Sequence, residues 1–131
     1  MRARDVNEIS DSALLEALRR QMTRSVAREV ASAGNLANVN TPGYKAVEPS
    51  FDDALDAQLG MTATQAGHLG RPDGPTQSRE VKNASARRDG NTVEIDRELM
   101  TMNRAAGDFS AAQTAMAAKF RLVRYAINEG R

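Results

Sequence analysis

Apolar residues recur at helical spacing near the C-terminal end of the chain. Their separations alternate between four and three residues, a mean of about 3.5, which is typical of a helix that feeds a left-handed coiled coil. The sequence predicts one long helix here, with Asp96 as its N-cap and Gly130 as its stop. The stripe consists of Ile95, Leu99, Met102, Ala106, Phe109, Gln113, Met116, Phe120, Val123 and Ile127.

A second stripe near the N-terminal end has a mean spacing of about 3.67 residues, again one face of a helix. We expect this helix to run from about Ser12 to Ala37. It must end soon afterwards, because Pro42 disfavours helical geometry at Thr41 and the pair Pro42-Gly43 suits a type II turn. The stripe consists of Leu15, Leu18, Met22, Val26, Val30, Ala33 and Ala37.

A shorter third helix is predicted to follow, with Ser50 as its N-cap and Gly60 as its stop. Phe51, Leu55 and Leu59 would line one face of it.

The segment 60–91 separates these elements from the C-terminal helix. It has few apolar residues and several turn-forming sequences, so we expect a flexible connector, or alternatively a short strand or hairpin ordered by a neighbour. The predicted organisation is therefore 1–59 (axial helix, loop and short helix), 60–91 (connector) and 92–131 (coiled-coil helix), together one structural domain. The predicted fold class is all-α, with the long helices packed as an antiparallel coiled coil.

Composition excludes several kinds of chemistry. The 131 residues carry 18 Lys and Arg against 17 Asp and Glu, so the strong basic field that nucleic-acid binding needs is missing. There is no Cys and a single His, His68, which leaves no thiolate or multi-histidine metal site. No cofactor, metal or small-molecule substrate is expected, and no residue nominates an enzymatic reaction. Charged residues interrupt 1–26, so we expect no cleaved signal peptide.

Two long helices and a short one leave little material for a core. Below roughly 70–80 ordered residues a single core rarely supplies more than about 3–5 kcal/mol. We therefore expect neighbouring molecules to complete the folded state. Within one chain, the expected seam places Phe109, Met116, Phe120 and Val123 opposite Leu15, Leu18, Met22 and Val26.

One segment, 35–45, is more specific than the rest of the chain. Its asparagines lie where a helix is predicted to end, and their side chains can bind the unpaired carbonyl groups of the last turn. Pro-Gly then reverses the chain, and the tyrosine can return its ring to the helices while its hydroxyl stays hydrogen-bonded. The residues of this motif are Asn35, Ala37, Asn38, Thr41, Pro42, Gly43 and Tyr44.

The motif resembles the signature of the flagellar axial proteins, Asn-x-Ala-Asn-x-x-Thr-Pro-Gly-Tyr, without a mismatch. The segments 89–96 and 126–131, and the short length, resemble the short rod proteins of that family. Within them the sequence Asp-Gly-Asn-Thr-Val at 89–93 argues against the other short rod subunit type.

The resemblance implies a structural subunit of the proximal rod of the flagellar basal body. Such subunits are exported unfolded by the flagellar type III apparatus and assemble in the periplasmic space. They form a helical tube on the inner-membrane ring and its rod adaptor, with copies of themselves and other rod proteins as partners, and they transmit motor torque. Their terminal helices pack as a coiled coil, and the signature loop contacts adjacent subunits. The alternative is a small helical adaptor or secreted binding module with no role in a filament.

Overall fold

The computed structural model describes residues 11–51 and 77–129. Helix α1 spans Asp11–Ala37 and helix α2 spans Ile95–Glu129. Strand β1 spans Val47–Ser50 and strand β2 spans Gln77–Glu80. The described chain is thus mostly helical, and the prediction of two long helices is confirmed, because each apolar stripe extends over many turns and each helix is followed by a Gly or Pro stop.

The start of α2 differs from the prediction. The backbone amide of Glu98 donates to the carbonyl of Glu94 at 3.0 Å, and the helix begins at Ile95. Asp96 therefore lies in the first turn and is not the N-cap. Its carboxylate still lies at the positive end of the helix dipole, which is the electrostatic reason for an acid at this position.

A two-stranded antiparallel sheet corrects the all-α prediction. Val47 lies opposite Glu80 and Ser50 lies opposite Gln77. Ser50 is the last residue of β1, and the helix that it is predicted to cap lies outside the described residues. The sheet escapes local pattern analysis because each strand has four residues and its partner is distant in sequence.

The strand β2 lies within the predicted connector, so the alternative of a short strand holds for this part of it. The predicted short helix (Leu55 and Leu59) and residues 60–76 of the connector lie outside the described residues, as does His68.

Helices α1 and α2 run in opposite directions against each other. Ion pairs join Asp11 to Lys119 at 2.5 Å and Arg28 to Asp108 at 3.7 Å, so contacting residue numbers rise on one helix and fall on the other. Buried positions recur at intervals of seven residues on both helices, which is the heptad spacing. These positions are Ser25 and Ser32 on α1 and Glu98, Ala105 and Ala112 on α2; Asn35 of α1, three residues after Ser32, is also buried.

Small and polar residues, rather than large apolar ones, occupy the interior. In the described part of the chain the buried apolar residues are Ala46, Val93, Ala105 and Ala112. The buried polar residues are Ser25, Ser32, Asn35, Asn91, Thr92 and Glu98. Hydrogen bonds from buried side chains therefore hold the loops against the helices. Neither described helix has an apolar stretch long enough to cross a bilayer.

Candidate functional site: the loop junction and the exposed stripe

The last turn of α1 is tied to the first residue of β1 by one buried side chain. The Asn35 side-chain amide donates to the carbonyl of Val47 at 2.8 Å, and its Oδ1 accepts from the amide of Val47 at 2.9 Å. The hydroxyl of Tyr44 donates to the same Oδ1 at 3.3 Å. Because a side-chain amide is both donor and acceptor, Asn35 satisfies both backbone groups of Val47 as a strand partner would.

The chain leaves α1 through a tight turn. The amide of Tyr44 donates to the carbonyl of Thr41 at 3.3 Å, and Gly43 has a φ of 73°. This positive φ at the third position is what a type II turn requires and what favours glycine there. Asn38 closes the helix end, with its side-chain amide donating to the carbonyl of Gly34 at 2.9 Å.

A second loop, residues 81–94, supplies the partners for this turn. Asn91 is fully buried, at 0% exposure. Its side-chain amide donates to the carbonyls of Asn38 at 2.9 Å, Val39 at 3.2 Å and Thr41 at 2.8 Å. These carbonyls follow the end of α1, where the helix itself offers no donor. Asn91 therefore acts as the C-terminal cap of α1 from a distant part of the sequence.

Backbone contacts extend this junction on both sides of Asn91. The amide of Gly43 donates to the carbonyl of Asp89 at 2.8 Å, and the amide of Thr92 donates to the carbonyl of Tyr44 at 3.0 Å. A Cβ atom on Gly90 would lie 3.5 Å from the Cα of Gly43, so the two loops cross closely. We call this unit, residues 35–46 with 87–93, the loop junction.

Side chains close the junction further. The amide of Ala46 donates to the Thr92 hydroxyl at 2.8 Å, the Lys45 ammonium donates to the carbonyl of Gly90 at 2.9 Å, and the Arg87 guanidinium donates to the carbonyl of Val39. Two of the three segments that carry the family resemblance, 35–45 and 89–96, therefore form one structure. The sequence identified both segments but did not show that they bind each other. Only the turn-forming neighbours Asp89 and Gly90 mark Asn91 locally, and they do not indicate that its side chain is buried and caps α1.

The motif divides into buried and exposed residues. Asn35 is buried, and Asn38 and Tyr44 are partly buried. The remaining four are exposed on the outside of the junction: Ala37, Thr41, Pro42 and Gly43.

The predicted seam also divides into two groups. Six of its residues are partly buried: Leu15, Leu18, Met22, Met102, Phe109 and Met116. The other six have exposed fractions between 41% and 66%: Val26, Val30, Leu99, Phe120, Val123 and Ile127. We call this second group the exposed stripe. The contact between α1 and α2 is centred instead on small buried residues, because these allow close approach of the backbones.

Several members of the exposed stripe lie on one side of the helix pair. Val26 follows buried Ser25 by one residue, and Leu99 follows buried Glu98 in the same way. One residue is about 100° of rotation around a helix. Since the helices run in opposite directions, these two rotations turn both side chains toward the same side of the pair.

Toward its C-terminus, α2 extends beyond Lys119, the residue that pairs with Asp11. Phe120, Val123 and Ile127 are exposed there, at 56%, 41% and 66%. The surface formed by residues 11–51 and 77–129 thus carries large exposed apolar side chains, a feature typical of an interaction site.

No group of three or more His, Cys, Asp or Glu side chains that could hold a metal ion occurs within residues 11–51 and 77–129.

Comparison with known proteins places this site in context. A sequence profile described as "Flagella basal body rod protein" matches residues 14–45, which include most of α1 and the motif up to Lys45. The chain is also 25% identical over 125 residues to the flagellar basal body rod protein FlgB of Bacillus subtilis (strain 168), covering 92% of this chain and 97% of that protein. The family is a structural one and not a family of enzymes. Neither match favours the helical adaptor interpretation.

Proposed function

The chain is a flagellar basal body rod protein, and on that premise we propose that its exposed stripe and loop junction form the contacts between subunits of the proximal rod. It is a structural component of the rod and assembles with other rod components.

The exposed stripe is the observation that carries the proposal. Six large apolar side chains of a small chain are left at least 41% exposed. Removing apolar surface from water stabilises an assembly by about 25 cal/mol per Å². A chain with a mostly polar interior and an apolar exterior stripe gains its rigidity when copies and related subunits pack around it.

We propose that α1 and α2 form an antiparallel coiled coil in the rod. Burial at seven-residue intervals on both helices and the ion pair between Arg28 and Asp108 support this geometry. Packed helical seams have little free volume, so such a pair resists bending and twisting. This stiffness suits a shaft that transmits torque from the motor.

The exposed part of the loop junction is the proposed contact with an adjacent subunit. Ala37, Thr41 and Pro42 are exposed, while Asn35 and Asn91 hold the backbone beneath them by hydrogen bonds. The junction thus presents a fixed shape rather than a flexible loop. A contact between this surface and a different surface of the next subunit generates a helical tube when its rotation does not close into a ring.

Export and location follow from the same proposal. The subunit leaves the cytoplasm through the flagellar type III apparatus without a cleaved signal peptide, and it lies in the periplasmic part of the basal body. The inner-membrane ring and its rod adaptor are its proposed neighbours at the base. Co-purification of the chain with each of these components from detergent-solubilised basal bodies tests these partners one at a time.

Deletion and complementation in the source bacterium test the function directly. We expect deletion to remove the rod from purified basal bodies and to abolish swimming, and the unmodified gene to restore both. Phe120→Asp should fail to restore them because it places a charge in the exposed stripe. Thr114→Asp is the matched control, since it adds the same charge at an exposed position of α2 flanked by Ser110 and Ala118. Intact rods in the deletion strain would overturn the proposal.

A further inference from the structure

A cavity of about 350 Å³ lies between the second half of α1, the sheet and the first turns of α2. Its wall includes Ser32 from α1, Glu48 from β1, Arg79 from β2, and Glu98 from α2. The volume falls in the range of pockets that hold a small ligand or a long side chain. The cavity is separate from both the loop junction and the exposed stripe.

Within residues 11–51 and 77–129, two polar side chains of the wall have no hydrogen-bond or ion-pair partner. Ser32 and Glu98 are only 3% and 4% exposed. Among the described residues, no hydrogen bond or ion pair engages the hydroxyl of Ser32 or the carboxylate of Glu98. Every described side-chain polar atom that is fully closed off from solvent does have a partner. The oxygen atoms of Ser32 and Glu98 therefore keep some contact with solvent, and both residues line the cavity.

Three arginines and two glutamates line the wall. Arg79 and Arg97 share Glu48, at 2.9 Å and 3.8 Å. Arg28 pairs with Asp108, outside the wall, at 3.7 Å. Among the described residues, Glu98 is thus the charged side chain of the wall that takes part in no ion pair. Burying a carboxylate is costly unless it is paired with a cation or hydrogen-bonded.

We propose that the cavity is a socket for a guanidinium group of a second copy of this chain, which pairs with Glu98 and hydrogen-bonds to Ser32. A guanidinium offers several N–H donors in a fixed plane, so one group reaches both a carboxylate and a hydroxyl. This inference rests on the proposed function, since it names one contact by which the subunits would assemble.

The last turns of α2 supply the occupant. Arg121 and Arg124 are exposed, and neither has an acidic partner among the described residues. They flank Phe120 and Val123 of the exposed stripe, so an arginine that enters the socket also brings apolar surface into the contact. The socket and the arginines lie on different parts of the chain, so the contact can repeat head to tail from one copy to the next.

The test is a double-mutant cycle on self-association of the full-length chain, measured by sedimentation velocity. Glu98→Gln keeps the side-chain shape and removes the charge, and Glu94→Gln is the matched control at an exposed acid of the same helix end. We expect Glu98→Gln to weaken self-association at least tenfold and Glu94→Gln to leave it within twofold. The melting temperature of the Glu98→Gln chain should be equal to or higher than that of the unmodified chain, because the unpaired buried charge is gone.

The arginine side of the contact is tested in the same cycle. Arg121→Gln with Arg124→Gln should weaken self-association as much as Glu98→Gln, and all three changes together should weaken it no further, because they remove one shared interaction. Additive losses, or normal self-association of Glu98→Gln, would overturn the socket. Loss of self-association only with the arginine changes would assign them to another surface and would also overturn it.

Purified basal bodies separate this inference from the proposed function. If the unmodified chain is absent from them, the proposed function is wrong. If the unmodified chain is present and Glu98→Gln enters in equal amount, the function stands and the socket is wrong.

Discussion

Two buried asparagines hold the loops of this protein to its helices. Asn35 satisfies both backbone groups of Val47, and Asn91 donates to three carbonyls beyond the end of α1. An amide suits these positions because it is uncharged and offers both donors and acceptors. The sequence predicted that asparagines near the end of α1 would meet unpaired backbone groups. It could not predict the role of Asn91, because its partners lie about fifty residues earlier in the chain.

Replacing Asn91 by Asp tests the cap. The change keeps the size of the side chain but turns its donor group into an acceptor that faces three carbonyls. We expect the free energy of unfolding to fall by about 3 kcal/mol, since buried donors and acceptors are left unmatched. Chemical denaturation at pH 7 measures this loss. Asn40→Asp, at an exposed position of the same loop, should change stability by less than about 0.5 kcal/mol; an equal loss would contradict the assignment.

Gly43 and Gly107 should respond in opposite directions to the same substitution. Gly43 has a φ of 73°, where an L-residue is strained, so Gly43→Ala should lower the free energy of unfolding by about 1–2 kcal/mol. Gly107 lies inside α2 with nothing within 4 Å of an added Cβ, so Gly107→Ala should raise it by about 1 kcal/mol. Thermal unfolding of both variants checks the signs, and a stabilising Gly43→Ala would refute the strained turn.

The sequence predicts the ends of both long helices closely, but it does not predict the small residues buried where the helices meet. Counting large apolar residues located both helices within a residue or two of their ends. The same count missed the contact face, because serine and alanine at positions such as Ser32 and Ala105 pack there and contribute no apolar signal. Strand β1 was missed for a related reason: it contains Pro49 and two charged or polar residues, and only its pairing with β2 makes it a strand.

Phe109 and Phe120 lie on different surfaces of α2, Phe109 on a partly buried one and Phe120 on the exposed stripe. Phe109 is partly buried, so Phe109→Ala should lower the free energy of unfolding of the isolated chain by about 2 kcal/mol. Phe120 is 56% exposed, so Phe120→Ala should lower it by less than about 1 kcal/mol and yet impair rod assembly. Denaturation curves and swimming assays measure the two effects. A large loss of stability for Phe120→Ala would place that ring inside the single chain instead.

The free energy of unfolding depends on pH through Glu16 of α1, and the sign of this dependence is defined. The hydrogen bond from Arg19 is the main reason that the pKa of Glu16 falls from 4.5 to about 2; partial burial opposes the shift, and the hydrogen bond from Arg20 adds to it. A carboxyl whose pKa is lower in the folded state stabilises that state above its unfolded pKa. This contribution is lost as the pH falls from about 4.5 toward about 2.

Glu16→Gln should therefore destabilise the chain at pH 7 and have little effect near pH 2. The expected loss at pH 7 is below about 1 kcal/mol, because the ion pairs are solvent-exposed. Denaturation over this pH range measures the difference between variant and unmodified chain. In a chain that also carries Arg19→Gln and Arg20→Gln, the difference should disappear at every pH, and its persistence would point to another partner.

At the scale of the whole molecule, we propose that neighbouring subunits complete the fold of the chain. Among the residues that the structure describes, the interior is small and mostly polar, while the exposed stripe is large and apolar. The composition already predicted a core too small to stand alone. The exposed residues Val26, Leu99 and Phe120 form the surface on which we expect neighbouring subunits to pack. Assembly would bury that surface and stiffen the helix pair in the same step.

Burial of the exposed stripe in the rod is the measurement that tests this account most directly. The chain has no cysteine, so Val26→Cys and Leu99→Cys each introduce a single thiol whose reaction with a maleimide can be followed. Denatured protein gives the reference rate for each variant. We predict fast labelling of the free subunit and at least tenfold slower labelling in purified basal bodies. Equal labelling rates in the free and assembled states would contradict the central claim.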